Sequence, residues 1–202
     1  MPSVGMNLEQ VRALIAVPDE EMLPPPGLFV HRSFVHGPAH VGRVMIHALR
    51  LIEATGCVEE SPRLWAAVYL HDIARRHDGV EPGHGRRAWE RLASLPPVAE
   101  LFTRGGVVDS DLPAIEAAVT RHSRGEAIGG EPHVRLIELL KDADGLDRVR
   151  IRDLDPAYLR TPAARTMVDF AGRLYRETDH RAAASSADFA WLWRETHRIL
   201  RS

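Results

Sequence analysis

The sequence predicts an all-α fold arranged as one domain. Its 202 residues suit a single hydrophobic core. Apolar residues recur every three or four positions over long stretches, which is typical of helices packed on one side. A small or polar residue followed by proline often precedes such a stretch, and proline is well tolerated at the first position of a helix. No stretch shows the alternation of apolar and polar residues that indicates a half-buried strand.

The proline signal marks helix starts along the chain. It occurs at residues 37–38, 61–62, 131–132, 155–156 and 161–162. Together with the apolar periodicity it predicts helices at 7–17, 38–55, 62–76, 83–94, 110–123, 132–148, 162–181 and 186–200. The segment MLPPPG at 22–27 is predicted to be a stiff connector. We expect a single domain, 1–202, of about seven to eight helices, in which helix 7–17 and the helices of 162–200 pack on a core at about 31–150.

Composition narrows the class of protein. A formal net charge of −2 gives no general attraction to nucleic acid or to an anionic membrane. Cys57 is the only cysteine, so no disulfide can form within the chain, as is usual in the cytoplasm. No apolar run has membrane-spanning length and the first residues lack a signal-peptide pattern, so we predict a cytoplasmic protein. The 11 histidines, against 3 tyrosines, prompt a search for metal sites.

The direction of the carboxylates follows from helical periodicity, since each residue turns the helix by about 100°. In RLIELLKDADGLDRVR, Asp144 lies on the same face as Ile137 and Leu140, and we expect it to point into the core. Asp142 lies on the face of Glu138, and we expect it to point to solvent. A carboxylate in the core needs a partner, and a cation is the usual one.

Three further helices each direct a metal-type side chain toward the core. His71 continues the apolar face of its helix, and Asp72 lies at the edge of that face. His122 continues another apolar face, and His40 opens the inner face of a helix on which His47 is less clearly placed. A single inward histidine is more often a hydrogen-bonded core residue than a ligand. The combination favours a buried divalent ion, and such nitrogen and oxygen ligands suit Mn, Fe, Co, Ni, Zn or Mg.

The order His … His-Asp … Asp on an all-α chain resembles the HD superfamily of metal-dependent phosphohydrolases. The matching segments are HGPAHVGRV with His40, AAVYLHDIARR with His71 and Asp72, and LLKDADGLDRVR with Asp144. The resemblance covers roughly residues 31–150. It implies an HD-type helical bundle and leaves the substrate open.

The resemblance also implies a set of metal ligands. These are His40, His71, Asp72 and Asp144. His84 and His122 fall where some HD proteins hold a second ion, which Asp72 would then bridge. Other HD enzymes bind one ion and use histidines in this region to contact phosphate or to protonate the leaving group. One or two divalent ions are therefore the implied cofactor, and both arrangements stay open.

The implied activity is hydrolysis of a phosphate ester, in a nucleotide or another phosphorylated small molecule, by metal-activated water. The residues expected to take part in catalysis are Asp72, His84, His122, Arg75 and Lys141. Candidate phosphate contacts are Arg75, Arg76, Arg86, Arg87 and Lys141, although most arginines solvate a surface. Asp147, about one turn beyond Asp144, is expected to orient a ligand, and the second His-Asp pair, His77 and Asp78, to lie on a loop.

Two differences from the sequence patterns of HD subfamilies argue against particular substrates. The HHExxDGxGYP signature of the branch that degrades cyclic di-GMP is absent. The glutamate-aspartate pair of alarmone hydrolases is replaced by Arg75 and Arg76. Two other functions stay open: a di-iron HD-type oxygenase, which uses the same six ligands, and a non-catalytic HD bundle that binds a nucleotide.

The aromatic residues near the end of the chain bear on partners. Phe189, Trp191 and Trp193 are expected to belong to the core or to the face of a homodimer. No basic stripe accompanies them, so nucleic acid is not an expected partner. The expected partner is a phosphorylated, nucleotide-like small molecule.

Overall fold

The computed structural model describes residues 5–125, 129–182 and 188–202. Within these ranges the all-α prediction is confirmed, because the chain forms helices and no strand. The α-helices are α1 Leu8–Ala13, α2 Pro38–Thr55, α3 Ser61–Leu70, α4 His84–Leu92, α5 Pro96–Arg104, α6 Leu112–Arg121, α7 Val134–Leu146, α8 Pro162–Arg165, α9 Val168–Ala182 and α10 Phe189–Arg201. Across the described residues no helix has both the length and the apolar character needed to cross a membrane.

The helices differ from the prediction most in four places. Helix α1 ends at Ala13 rather than at 17. Helix α5 was not predicted; it begins at Pro96, but the apolar Leu95 precedes that proline. The helix predicted at 162–181 is two helices, because the chain turns between α8 and α9. Helix α3 ends at Leu70 rather than at 76, and the next four residues continue as turns. The predicted start of the last helix, residue 186, lies outside the described residues.

Helix α2 lies at the centre of the bundle and contacts α1, α3, α7, α9 and α10. Twelve of its eighteen residues are buried, so it is covered on nearly every side. Helix α6 packs against α3, α4 and α7. This arrangement brings the first turns of α2 and α4 to the ends of α3, α6 and α7, where the candidate site lies.

The aromatic residues of α10 pack against the core. Phe189 is buried, and the ring of Trp193 stacks on it with centroids 5.6 Å apart. Trp191 and Trp193 are partly buried against the same cluster. These contacts agree with the core interpretation of this segment, and a homodimer stays a prediction.

The prediction for Asp142 is wrong. Its side chain is fully buried and accepts hydrogen bonds from the backbone N–H of Arg160 and from both the N–H and the hydroxyl of Thr161, each at 2.8 Å. The segment before α8 folds over this face of α7 and covers it. Helical periodicity alone could not show this, because the covering segment comes from later in the chain.

His47 is buried in α2 without a role in the site. Among the described residues neither ring nitrogen has a hydrogen-bond partner, and the ring packs edge-on against Phe170 at 5.9 Å. Burial lowers the pKa of His47 from 6.5 to about 4. The ring therefore stays neutral in the folded protein at pH values where the unfolded chain binds a proton.

We expect the free energy of unfolding of His47→Leu to fall less than that of the wild type as the pH is lowered. Between pH 6.5 and about 4 the unfolded state binds more protons at His47, so the free energy of unfolding falls as the pH falls. The full cost approaches about 3 kcal/mol for a shift of this size. Urea unfolding at pH 7.5 and 4.5 should show a smaller difference for His47→Leu than for the wild type.

The exposed His77→Leu is the matched control and should retain the wild-type difference between the two pH values. If the free energy of unfolding changed equally between pH 7.5 and 4.5 in the wild type and both variants, His47 would not be the cause of the loss of stability in acid.

Candidate metal centre

The candidate centre is built from residues at the ends of helices. His40 is in the first turn of α2, and Asp144 is in the last turn of α7. His71 and Asp72 directly follow α3, His84 begins α4, and His122 directly follows α6. The histidines and Asp72 are buried, whereas the side chain of Asp144 is 26% exposed. The structure therefore brings together all six residues that the sequence indicated; their role as ligands stays a prediction.

The potential ligand atoms form groups in which all atoms lie within 4.8 Å of one another. One group is His40, His71 and Asp144, and another is Asp72, His84 and His122. Asp72 links them, because its Oδ1 lies 3.0 Å from Nε2 of His84 and its Oδ2 lies 3.4 Å from Nε2 of His40. A carboxylate in this position can bridge two ions.

Local hydrogen bonds determine which nitrogen of each ring faces the site. Nδ1 of His71, His84 and His122 lies 2.6 to 2.7 Å from a backbone carbonyl oxygen three residues earlier in the chain. A carbonyl oxygen only accepts, so each Nδ1 carries the proton. Nδ1 of His40 is 2.7 Å from a carboxylate oxygen of Asp147 and is protonated for the same reason. All four Nε2 atoms therefore face the interior, and each presents a lone pair there when its ring is neutral.

These lone pairs face one another at short range. Nε2 of His84 and Nε2 of His122 are 2.8 Å apart, and Nε2 of His40 and Nε2 of His71 are 3.3 Å apart. Two acceptor atoms at such distances repel unless a cation or a proton lies between them. Ligands bound about 2.1 Å from one ion lie about 3.0 Å apart at a right angle and about 3.4 Å apart in a tetrahedron. The observed spacings match those of ligands around a metal ion.

The charges of the site support the same conclusion. Burial and Arg150 lower the pKa of His40, but hydrogen bonds with Asp144, Asp147 and Asp72 outweigh them and raise it to about 9. Burial would raise the pKa of Asp144, yet the adjacent His40 holds it well below the usual range. The carboxylates thus remain ionised and attract positive charge to His40, as they would attract a metal ion.

His122, which belongs to the other group, behaves differently. Burial, together with the neighbouring rings of His84 and His71, lowers the pKa of His122 to about 3. Its ring is therefore neutral at physiological pH. A neutral imidazole with a free Nε2 is the form that binds a metal ion.

Asp147 orients His40, as the sequence predicted. It is fully buried, and besides its bond with His40 it accepts a hydrogen bond of 2.6 Å from Nε of Arg43. A guanidinium group of Arg150 lies 3.6 Å away. Such partners hold a ligand in the correct tautomer and orientation.

The predicted basic residues divide into two groups. Arg75 is buried at the site, with Nη1 3.7 Å from Asp72 Oδ1. Lys141 is also buried, but its ammonium group donates to the carbonyl oxygens of His122 and Arg124, so it ties the end of α6 to α7. Its predicted contact with phosphate gains no support from this position.

The other predicted phosphate contacts lie at the surface or pair with acids. Arg87 bonds to Glu81, and the exposed Arg86 approaches Glu90 at 4.0 Å. Arg76 is exposed. The pair His77 and Asp78 lies on an exposed loop, as expected.

Sequence reasoning missed His36 and Arg150. Nδ1 of His36 lies 3.0 Å from Asp72 Oδ2 and 3.2 Å from Nη2 of Arg150. His36 precedes α2, so helical periodicity could not place it. Its spacing of four residues from His40 was the available signal.

Close packing of α4 on α6 positions His84 against His122. A side-chain carbon at Gly85 would lie 2.0 Å from the carbonyl oxygen of Val119 and 3.1 Å from the ring of His122. We expect Gly85→Ala to push the helices apart, lower the melting temperature by about 5 °C and weaken binding of Mn²⁺ about tenfold. Thermal unfolding and calorimetric titration would measure both effects.

Gly172→Ala in α9 is the matched control, because its new carbon would meet only the flexible end of Arg176. It should preserve the affinity for Mn²⁺ and not reduce stability. Unchanged Mn²⁺ affinity in Gly85→Ala would show that this helix contact does not position the group of Asp72, His84 and His122.

No protein-family model, curated protein or solved structure matches the chain. The interpretation of the site therefore depends on its own geometry. That geometry is a buried cluster of histidine and aspartate side chains that could hold a metal ion.

Proposed function

We propose that the protein is a metal-dependent phosphohydrolase of the HD superfamily, acting on a phosphate ester of a nucleotide or a similar small molecule. The observation that carries the proposal is the convergence of four Nε2 lone pairs on two ionised aspartates. The residues concerned are His40, His71, His84, His122, Asp72 and Asp144. Their order in the chain is that of the His … His-Asp … Asp motif.

The charge balance supports an anionic substrate. Asp72, Asp144 and Asp147 are matched by the guanidinium groups of Arg43, Arg75 and Arg150. A metal ion at Nε2 of His40 would displace the second proton that this ring binds in the metal-free site, so these aspartates, arginines and His40 would then carry no net charge apart from the ion. Each divalent ion adds two positive charges in a buried region, where they attract a polyanion such as a phosphate ester.

A divalent ion in this site would supply Lewis-acid activation of water and of the phosphoryl group. The chain itself would hold the ion and the substrate in place. Nδ1–H bonds fix the histidine rings, and Asp72 belongs to two of the groups of potential ligands. Phosphoryl transfer depends mainly on such positioning and on charge neutralisation.

Arg75 is the best-placed phosphate contact. Its Nη2 donates to the carbonyl oxygen of Gly79 at 2.6 Å, which fixes the guanidinium group beside Asp72. Its buried Nε has no hydrogen-bond partner among the described residues. A phosphate oxygen would satisfy that donor with a charge-assisted bond.

The substrate would approach from the side of Asp144 and His36. Their side chains are 26% and 14% exposed, whereas that of His40 is fully buried. The group of Asp72, His84 and His122 lies deeper.

The test compares metal content and phosphatase activity in the wild type and Asp72→Asn. We expect one or two equivalents of a transition metal in the wild type after incubation with Mn²⁺ or Co²⁺. Phosphate release from a panel of nucleotides should be lost about a hundredfold or more in Asp72→Asn, because that residue contributes to both groups. Elemental analysis and a phosphate-release assay give the two readings.

The two His-Asp pairs supply an internal control. His71→Ala should lose metal, and His77→Ala, on the exposed loop, should retain it. A wild type that takes up no metal would overturn the proposal. Two bound irons with O₂ consumption and no phosphate release would instead identify an oxygenase, and nucleotide binding without turnover a binding protein.

A further inference from the structure

We propose that His36 is a further metal ligand, binding through Nδ1 the same ion as His40, His71 and Asp144. The inference rests on the metal centre of the proposed function. It adds to the HD motif a residue that precedes the helix and lies on the solvent side of the centre.

The position of Nδ1 is that of a ligand. It lies 3.0 Å from Asp72 Oδ2, and together with His40 these residues form a group whose potential ligand atoms all lie within 4.8 Å. Two ligands at right angles, each about 2.1 Å from an ion, would have this same separation of about 3.0 Å. The ring of His36 is edge-on to that of His40, with centroids 5.7 Å apart.

The neighbours of Nδ1 of His36 make opposite demands on it, as those of Nδ1 of His84 do, where Nη1 of Arg75 lies 3.2 Å away. Asp72 Oδ2 only accepts, so it requires a proton on Nδ1, whereas Nη2 of Arg150, at 3.2 Å, only donates and requires a lone pair. One ring nitrogen cannot meet both requirements. A metal ion shared by Nδ1 and Oδ2 would remove the need of Asp72 for a proton on Nδ1, because both atoms would direct lone pairs at the ion; Nδ1 would then accept no hydrogen bond from Nη2 of Arg150.

Arg150 does not depend on His36 for its own bonding. Its Nε donates to the carbonyl oxygen of Val35 at 2.8 Å, and its Nη1 donates to that of Asp147 at 3.1 Å. The backbone carbonyl groups of Val35 and Asp147 therefore hold the guanidinium group in place. It can hold the loop in place while Nδ1 binds the ion.

The loop that carries His36 is already ordered for binding. The hydroxyl oxygen of Ser33 accepts from the N–H of Val35 at 2.9 Å and from that of His36 at 2.7 Å, and the hydroxyl donates to Asp78. A side-chain carbon at Gly37 would lie 2.2 Å from the carbonyl oxygen of Ser33, so the tight turn requires glycine. A ligand held in this way loses little conformational entropy on binding.

This assignment changes the number of open positions at the ion. Added to the four ligands that the motif implies, His36 would bring the number of protein ligands to five; its own group of potential ligand atoms within 4.8 Å contains His40 and Asp72. An octahedral ion would then keep one position for a substrate or water oxygen, where four ligands would leave two.

The test measures Mn²⁺ affinity of His36→Ala by calorimetric titration of the full chain. We expect affinity to fall 10- to 100-fold, and added imidazole to restore it by occupying the vacated position. The visible absorption of bound Co²⁺ should change in intensity, because the number of ligands changes. His36→Gln provides a second variant with a bulkier side chain, and it should also lose affinity.

His31→Ala is the matched control, a histidine of the same segment whose ring lies 3.6 Å from Asp78. It should bind Mn²⁺ as the wild type does. If the wild type binds metal and His36→Ala binds it equally well, the inference is overturned and the metal centre stands. A loss of affinity without imidazole rescue or a change in Co²⁺ absorption would overturn it in favour of a hydrogen bond that positions Asp72. A wild type without metal would overturn the proposed function itself.

Discussion

The buried carboxylate of Asp72 is the constraint on which the site depends. Its oxygens lie within 3.0 to 3.4 Å of imidazole nitrogens from α2 and α4 and of His36. A carboxylate at this depth is unstable unless positive charge or donors surround it. Other acceptors hold a proton at Nδ1 of His40 and His84, so Nε2 of each ring can donate only when the ring carries a second proton, as the raised pKa of His40 allows. A bound cation, or added protons on the rings, would satisfy these groups.

A local hydrogen bond to the backbone orients three of the histidines. His71, His84 and His122 each donate to the carbonyl oxygen three residues earlier, at or near a helix end. The acceptors of His71 and His122 are carbonyl groups in the last turn of a helix, which lack intrahelical partners, so the ring satisfies the backbone as the backbone fixes the ring. His40 lies at the start of its helix instead and requires a side chain, Asp147, for the same purpose.

Arginine side chains lie beside the aspartates of the centre and balance their charge. Arg43 and Arg150 neutralise Asp147 behind His40, and Arg75 lies beside Asp72 at the other end. The carboxylates of Asp72 and Asp144 thus remain ionised without leaving a large negative charge in the bundle. The close packing of α4 on α6 at Gly85 also brings the imidazole rings of His84 and His122 into one group.

The sequence by itself determined the helical class, the start of α2 at Pro38 and the inward direction of Asp144, because helix capping and helical periodicity act over a few residues. The tertiary structure decided the burial of Asp142 beneath Thr161, the attachment of Lys141 to the end of α6 and the contact of His36 with Asp72. Each of these depends on a partner 18 or more residues away in the chain. Such contacts follow from how helices and loops pack, and no local pattern encodes them.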